Sequence, residues 1–270
     1  MSTSVTASPK AVTIHTLKQL KDKNEKFACI ALYDASMARL AEQAGVEAII
    51  VGDSLGMTIQ GHDTTVPVTL DQMVYHTAAV RRGNGHSLII ADLPFMAYAT
   101  SEQAMTSATE LMQAGANVVK LEGGAWLSET VKKLSERGIP VCAHLGLTPQ
   151  SINKLGGYRV QGREETQAQE IIKDAEILQK SGASLLVLEC IPSVLTYHIA
   201  EKIQLVTIGI GAGNTSDGQV LVINDMLGIT AKPPKFAKNY LVGTDSIEDA
   251  INRFVLEVKA REFPTNVHEF

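Results

Sequence analysis

The sequence has little of several features that mark specialised classes of protein. No apolar run approaches the roughly 20 residues of a membrane span, and no cluster of Lys and Arg offers a surface for nucleic-acid phosphates. Only three cysteines are present, and residues 1–10 lack the apolar core of a secretion signal. These absences argue against membrane, nucleic-acid-binding and secreted proteins. They predict a cytoplasmic protein with reduced, buried thiols.

What is present is an ordinary globular composition. The 270 residues are 45% hydrophobic and 20% charged, with a net charge of −5. This length and composition suit one large hydrophobic core. Residues 1–12, rich in Ser and Thr, are predicted to be a disordered extension, and residues 13–270 a single domain.

Short apolar runs alternate with helical patterns along the chain. Strands are predicted at residues 27–33, 48–54, 87–93, 117–122, 140–145, 185–190, 206–210 and 220–225. Helices are predicted at residues 34–42, 70–82, 101–114, 127–137, 166–180, 192–202 and 246–261. This alternation predicts a parallel sheet, and eight such units in about 250 residues fit a closed (β/α)8 TIM barrel. The last helix is expected to pack either on its own barrel or on a neighbouring copy.

Four of the predicted strands end in a carboxylate, which a buried strand would not favour. The acids are Asp53, Asp92, Glu122 and Glu189, and Lys120 lies two residues before Glu122. An uncompensated charge beside an apolar core is costly, and the ends of parallel strands converge. Several acids therefore meet at one site, where a cation would let them coexist.

Asp53, Asp92 and Glu122 form an all-oxygen set of the kind that binds a hard cation, above all Mg²⁺. The alternative is that each acid caps a helix or pairs with an arginine. His144, at the end of the fifth strand, either binds a substrate carboxylate or is a satisfied structural group. Two long connections, residues 55–69 and 146–165, are predicted to be binding loops.

Longer motifs then point to a known family. The chain closely resembles ketopantoate hydroxymethyltransferases from about residue 15 to about residue 263. The motifs are VGDSLGM at 51–57, QGH at 60–62, YHTAAV at 75–80, ADLPF at 91–95, VKLEGG at 119–124, HLGLTPQ at 144–150, LEC at 188–190 and IGIGAG at 208–213.

The resemblance implies a barrel of the phosphoenolpyruvate/pyruvate-binding type. It implies transfer of a hydroxymethyl group from 5,10-methylenetetrahydrofolate to 3-methyl-2-oxobutanoate, in pantothenate and coenzyme A synthesis. It assigns the Mg²⁺ site to Asp53, Asp92 and Glu122, and contacts with the 2-oxo acid to Asp53, Ser54, Asp92 and Lys120. It makes Glu189 the proton acceptor, and it implies a homo-oligomer, a decamer.

These roles give a mechanistic hypothesis. Mg²⁺ would polarise the 2-oxo acid and stabilise its enolate, Glu189 would remove the C3 proton, and Lys120 would add positive charge beside the developing oxyanion. One alternative is a related Mg²⁺-dependent 2-oxo acid lyase, although neither long loop contains a cysteine for such chemistry. Another is a metabolite-binding barrel without turnover.

Overall fold

Eight parallel strands close into a barrel in the computed structural model, which describes residues 11–270. The strands pair in chain order, and β8 pairs back on β1. The strands are β1 (Phe27–Ala31), β2 (Ala48–Val51), β3 (Leu88–Asp92), β4 (Val118–Glu122), β5 (Val141–Gly146), β6 (Leu185–Glu189), β7 (Val206–Ile210) and β8 (Gly218–Val222). The predicted (β/α)8 barrel is confirmed.

Helices cover the outside of the barrel and connect its strands. They are α1 (Ile14–Asp22), α2 (Ala35–Gln43), α3 (Leu55–Thr58), α4 (Leu70–Gly83), α5 (Ser101–Ala114), α6 (Ser128–Glu136), α7 (Ile152–Leu155), α8 (Glu165–Lys180), α9 (Ser193–Lys202), α10 (Ile223–Met226) and α11 (Ile247–Lys259). The sequence patterns do not predict α1, α3, α7 or α10. The last three span one turn, too short to show a helical period, and α1 buries only Leu17.

Local capping interactions set where the main helices begin and end. Thr69 and Gln72 form a capping box at the start of α4, each side chain accepting a hydrogen bond from the other residue's backbone amide. Helix α5 ends at Gly115, whose φ of 114° suits glycine. Asp34, which follows β1, caps α2 by accepting from the amides of Ser36 and Met37. Asp34 is therefore a helix cap.

The eighth strand is displaced from its predicted position. It was expected at residues 220–225, but β8 covers Gly218–Val222 and the chain then turns into α10. The apolar run through Ile223 conceals this turn in the sequence. Glycine suits the first position of β8, because the Gly218 backbone packs on Phe27 and an added Cβ would lie 2.4 Å from the aromatic ring.

Both ends of the chain that the structure describes pack against the barrel or its connections. Helix α11 buries Phe254, Val255 and Val258 and packs against β1 and α2 of its own barrel, so the first of the two expected packings is observed. Of the predicted N-terminal extension, residues 1–10 lie outside the described residues. Val12 is buried, and its amide donates to the carbonyl of His86.

Candidate active site

The register of neighbouring strands brings the charged residues together at the carboxyl end of the barrel. Asp92 on β3 is paired with Lys120 on β4, and Glu122 on β4 is paired with His144 on β5. Glu189 ends β6, opposite Gly146. Asp53 follows β2 by two residues. The convergence expected from the strand ends is therefore present.

Asp53, Asp92 and Glu122 form a compact, buried carboxylate triad. Each offers an oxygen within 4.8 Å of those of the other two, and none is more than 4% exposed. The Lys120 amine donates to Oδ2 of Asp92 at 2.8 Å and to Oε1 of Glu122 at 3.5 Å. Oδ1 of Asp92 is buried without a hydrogen-bond partner among the described residues. The triad can hold a metal ion.

Burial and mutual repulsion raise the pKa of two acids of the triad, and Lys120 only partly offsets this effect. Burial raises the pKa of Asp53 well above its usual range, and the charges of Glu122 and Asp92 raise it further. Burial likewise raises the pKa of Asp92, although Lys120 opposes it. Burial would raise the pKa of Glu122 as well, but Lys120 and His144 outweigh it and lower that pKa. The pKa of Lys120 is raised, because the three acids overcome its burial.

Gln150 holds two of the acids in place. Its side-chain amide donates to Oδ2 of Asp53 at 2.8 Å and to the carbonyl of Leu93 at 2.9 Å, and its backbone amide donates to Oε2 of Glu122 at 3.0 Å. The hydroxyl of Tyr98 donates to Oε1 of Gln150 and to the carbonyl of Glu122. Such contacts fix the orientation of metal-binding carboxylates.

His144 connects the triad to Glu189. The ring is 1% exposed, and its Nδ1 lies 3.2 Å from Oε1 of Glu122. Its Nε2 lies 3.3 Å from Oε2 of Glu189, without the alignment of a hydrogen bond. Burial and Lys120 lower the pKa of His144, but its contacts with Glu122 and Glu189 prevail and raise that pKa to about 9. His144 therefore lies between the triad and Glu189.

Ser54 lies beside the triad at the start of α3. Its hydroxyl is hydrogen-bonded to that of Tyr33 at 2.8 Å. Gly52 makes room for this arrangement, since a Cβ there would lie 2.9 Å from Oγ of Ser54 and 3.5 Å from Oδ2 of Asp92. The structure thus places Ser54 near the acids, as the sequence motif suggested.

A cavity of about 840 Å³ opens beside these residues. Ser54 and Glu189 line it, and both long loops contribute walls, among them Met57 and Tyr158, which contact each other. A second, more open cavity of about 1160 Å³ is lined by Lys26, Tyr197 and Arg261, and by none of the candidate site residues. Of the candidate site residues, Ser54 and Glu189 line the first cavity, whereas the triad, Lys120 and His144 are not among its lining residues within the described chain. We therefore place the substrate-binding space of the candidate active site in the first cavity.

The three cysteines are buried and unpaired, as expected. Cys190 lies next to Glu189, but it is 5% exposed and burial raises the pKa of its thiol, which disfavours a reactive thiolate.

In residues 11–270, no helix is both long and apolar enough to cross a membrane.

Comparison with known proteins identifies the family. The family model for ketopantoate hydroxymethyltransferase matches residues 11–266. The chain belongs to the ketopantoate hydroxymethyltransferase family. The 3-methyl-2-oxobutanoate hydroxymethyltransferase of Saccharophagus degradans is 58% identical over 98% of this chain and 99% of its own length. A homologue with the same name in Photorhabdus laumondii is 55% identical over 97% of this chain and 99% of its own length. This family is one of transferases.

Solved structures support the fold of this ketopantoate hydroxymethyltransferase family member. Phosphonopyruvate hydrolase covers 93% of this chain and 96% of its own, with a TM-score of 0.62 and 13% identity. A 2,3-dimethylmalate lyase of the PEP mutase/isocitrate lyase superfamily covers 79% of this chain and 81% of its own, with a TM-score of 0.58 and 16% identity. At such identities the likeness shows the shared barrel alone.

The sequence patterns missed Gln150 and Tyr98. Gln150 stands in the HLGLTPQ motif, but an uncharged residue in a long loop gives no sign that it reaches Asp53, 97 positions away. Tyr98 lies in the β3–α5 connection and carries no charge.

Proposed function

We propose that this chain transfers a hydroxymethyl group from 5,10-methylenetetrahydrofolate to 3-methyl-2-oxobutanoate, giving ketopantoate for pantothenate and coenzyme A synthesis. The observation that carries the proposal is the buried triad with Lys120, set beside Glu189 at the mouth of a family-typical barrel. A triad that could bind a cation and an adjacent carboxylate base are the two elements that enolisation of a 2-oxo acid requires.

The triad fits Mg²⁺ on grounds of charge and donor chemistry. The three carboxylates outnumber the two cationic groups beside them, Lys120 and His144, and Oδ1 of Asp92 lacks a partner in the described part of the chain. All the donors are oxygens, which hard divalent cations prefer. When bound by Asp53, Asp92 and Glu122, the cation would draw electron density from the oxygens of the 2-oxo acid and acidify its C3–H.

Lys120 and Ser54 would orient the 2-oxo acid. The Lys120 amine is fixed by Asp92 and Glu122, so its positive charge would already be in place for the keto oxygen that gains negative charge. The Ser54 hydroxyl, hydrogen-bonded to Tyr33, would contact the substrate from the end of β2. Preset positive charge and hydrogen bonds lower the barrier without reorganisation during the reaction.

Glu189 would accept the C3 proton. It is the one candidate acid outside the triad, it lines the cavity, and its carboxylate lies beside His144. The resulting carbon nucleophile would form a C–C bond with the methylene carbon of the donor, whose bonds to N5 and N10 of the folate both break. One water is consumed: its oxygen becomes the new hydroxyl, and its other hydrogen and the C3 proton taken by Glu189 end on the two folate nitrogens.

One assay tests this function directly. The purified protein is supplied with 3-methyl-2-oxobutanoate, Mg²⁺ and methylenetetrahydrofolate, and ketopantoate is measured. Mg²⁺- and folate-dependent ketopantoate is the expected result. Cleavage of a longer 2-oxo acid without folate would instead identify a lyase, and substrate binding without turnover would identify a binding barrel.

We also propose a homo-oligomeric assembly, a decamer, in the cytoplasm. The support is the family resemblance and the composition. The apolar face of α11 packs on its own barrel, so contacts between copies would use other surfaces.

A further inference from the structure

The cavity at the candidate active site is larger than a five-carbon 2-oxo acid requires. Its volume of about 840 Å³ lies within the usual range for sites that hold a drug-sized molecule. Ser54 and Glu189 line it, and so do residues of α10 and of the segment 229–236. A second, larger substrate therefore has room beside the reacting carbon.

Asp225 of α10 is the unusual residue among those that line the cavity. It is 7% exposed, and its one side-chain hydrogen bond within residues 11–270 comes from the Thr230 hydroxyl to Oδ1. No Lys, Arg or His of the described chain forms an ion pair with it, and burial raises its pKa. The neighbouring Asn224 has a buried side-chain oxygen without a partner among the described residues. Asp225 thus brings to the cavity a largely buried carboxylate with one oxygen free to accept hydrogen bonds from a ligand.

The chemistry of the proposed donor matches this acid. A tetrahydropterin ring presents an N3–H and a 2-amino group side by side, and such a pair of donors suits the two oxygens of one carboxylate. Tyr158, Ile229 and Phe236 line the same cavity and offer apolar surface to a flat ring. We propose that Asp225 binds the 2-amino and N3–H edge of the pterin of the one-carbon donor, an inference that rests on the proposed function.

Positively charged side chains in the same cavity suit the other end of the donor, its glutamate tail. Arg159, Lys232 and Lys235 line the cavity and are exposed, and none forms an ion pair with a carboxylate in the described part of the chain. The glutamate tail of a folate carries carboxylates. A buried acid for the pterin and exposed cations for the tail give the donor a single orientation.

The variant Asp225→Asn tests the inference, because it keeps the shape and removes the charge. Loss of a charge-assisted hydrogen bond predicts a rise of about 10- to 100-fold in the KM for methylenetetrahydrofolate and in the Kd for tetrahydrofolate. The KM for 3-methyl-2-oxobutanoate should change by less than about threefold. Asp245→Asn is the control, since it removes the same charge from an exposed site outside both cavities.

A ligand analogue tests the same contact without altering the protein. Tetrahydrofolate with its 2-amino group replaced by methyl should bind the wild type about 10-fold more weakly than tetrahydrofolate, and Asp225→Asn should weaken binding of this analogue less than it weakens binding of tetrahydrofolate. Equal binding of the two ligands by the wild type would overturn the inference, as would an unchanged donor KM in the variant.

This outcome is separable from failure of the proposed function. Deuterium exchange at C3 of 3-methyl-2-oxobutanoate, measured without folate, reports the 2-oxo acid site alone. A wild type that makes ketopantoate while Asp225→Asn keeps its donor KM rejects only the role of Asp225. A wild type that neither exchanges nor makes ketopantoate rejects the function itself, and with it this inference.

Discussion

Nε2 of His144 lies 3.3 Å from Oε2 of Glu189, while Nδ1 of the same ring lies 3.2 Å from Oε1 of Glu122. One buried imidazole thus joins an acid of the candidate metal site to the candidate base. In this position it can orient both carboxylates at once. We therefore expect His144 to position both carboxylates, and two substitutions can test its contacts with Glu122 and Glu189 separately.

His144→Asn retains an N–H near the position of Nδ1, and His144→Gln retains one near that of Nε2. We expect the Asn variant to keep its affinity for Mg²⁺ and to lose about 10-fold in kcat, because Glu189 loses its neighbour. We expect the Gln variant to lose about 10-fold in Mg²⁺ affinity, because Glu122 loses its contact. Metal titration and steady-state kinetics measure the two effects. Equal losses of kcat and of Mg²⁺ affinity in the two variants would contradict separate roles for the two ring nitrogens.

Metal removal should abolish turnover and lower stability. Asp53, Asp92 and Glu122 are buried close together, and this raises the pKa of Asp53 and of Asp92 in spite of Lys120, so a divalent cation would stabilise their charged forms. We expect EDTA to stop ketopantoate formation and Mg²⁺ to restore it. We also expect the Tm to rise as the Mg²⁺ concentration increases above its Kd. Asp92→Asn should weaken Mg²⁺ binding by at least about 10-fold. Full activity in metal-free buffer would contradict the metal site.

Gln150→Met should weaken the metal site without altering its charge. The substitution keeps the volume but removes the donors to Asp53 and Leu93, and second-layer changes of this kind typically cost about 10- to 100-fold in metal affinity. Trp126, the one tryptophan of the sequence, stacks on Tyr98 with 6.2 Å between ring centroids and supplies a fluorescence signal. Gln219→Met is the control, because Gln219 is equally buried but donates to Gly213 instead. Equal Mg²⁺ affinity in both variants would remove Gln150 from the site.

The expected decamer can be checked by sedimentation at micromolar protein. One copy has a mass of 29.0 kDa, and the assembly should sediment at about ten times that mass. A single species with the mass of one copy would refute the assembly.

The sequence predicts the charged part of the site well, for a physical reason. Charges at the ends of buried strands are rare, so Asp53, Asp92, Lys120, Glu122 and Glu189 stand out against their apolar neighbours. The eighth strand is misplaced because Val222 and Ile223 continue an apolar run through a turn. Gln150 escapes notice because its importance depends on long-range contacts, which an uncharged loop residue does not reveal.

Proton exchange at C3 of 3-methyl-2-oxobutanoate, followed in D₂O with Mg²⁺ and without folate, tests the central claim that Glu189 is the base. The wild type should exchange the proton, and Glu189→Gln should lose about 10²- to 10⁴-fold in exchange rate with little change in the affinity for substrate or Mg²⁺. The exposed Glu248→Gln serves as the control and should exchange like the wild type. Exchange retained in Glu189→Gln would contradict the account, and exchange lost together with substrate binding would make Glu189 a structural residue.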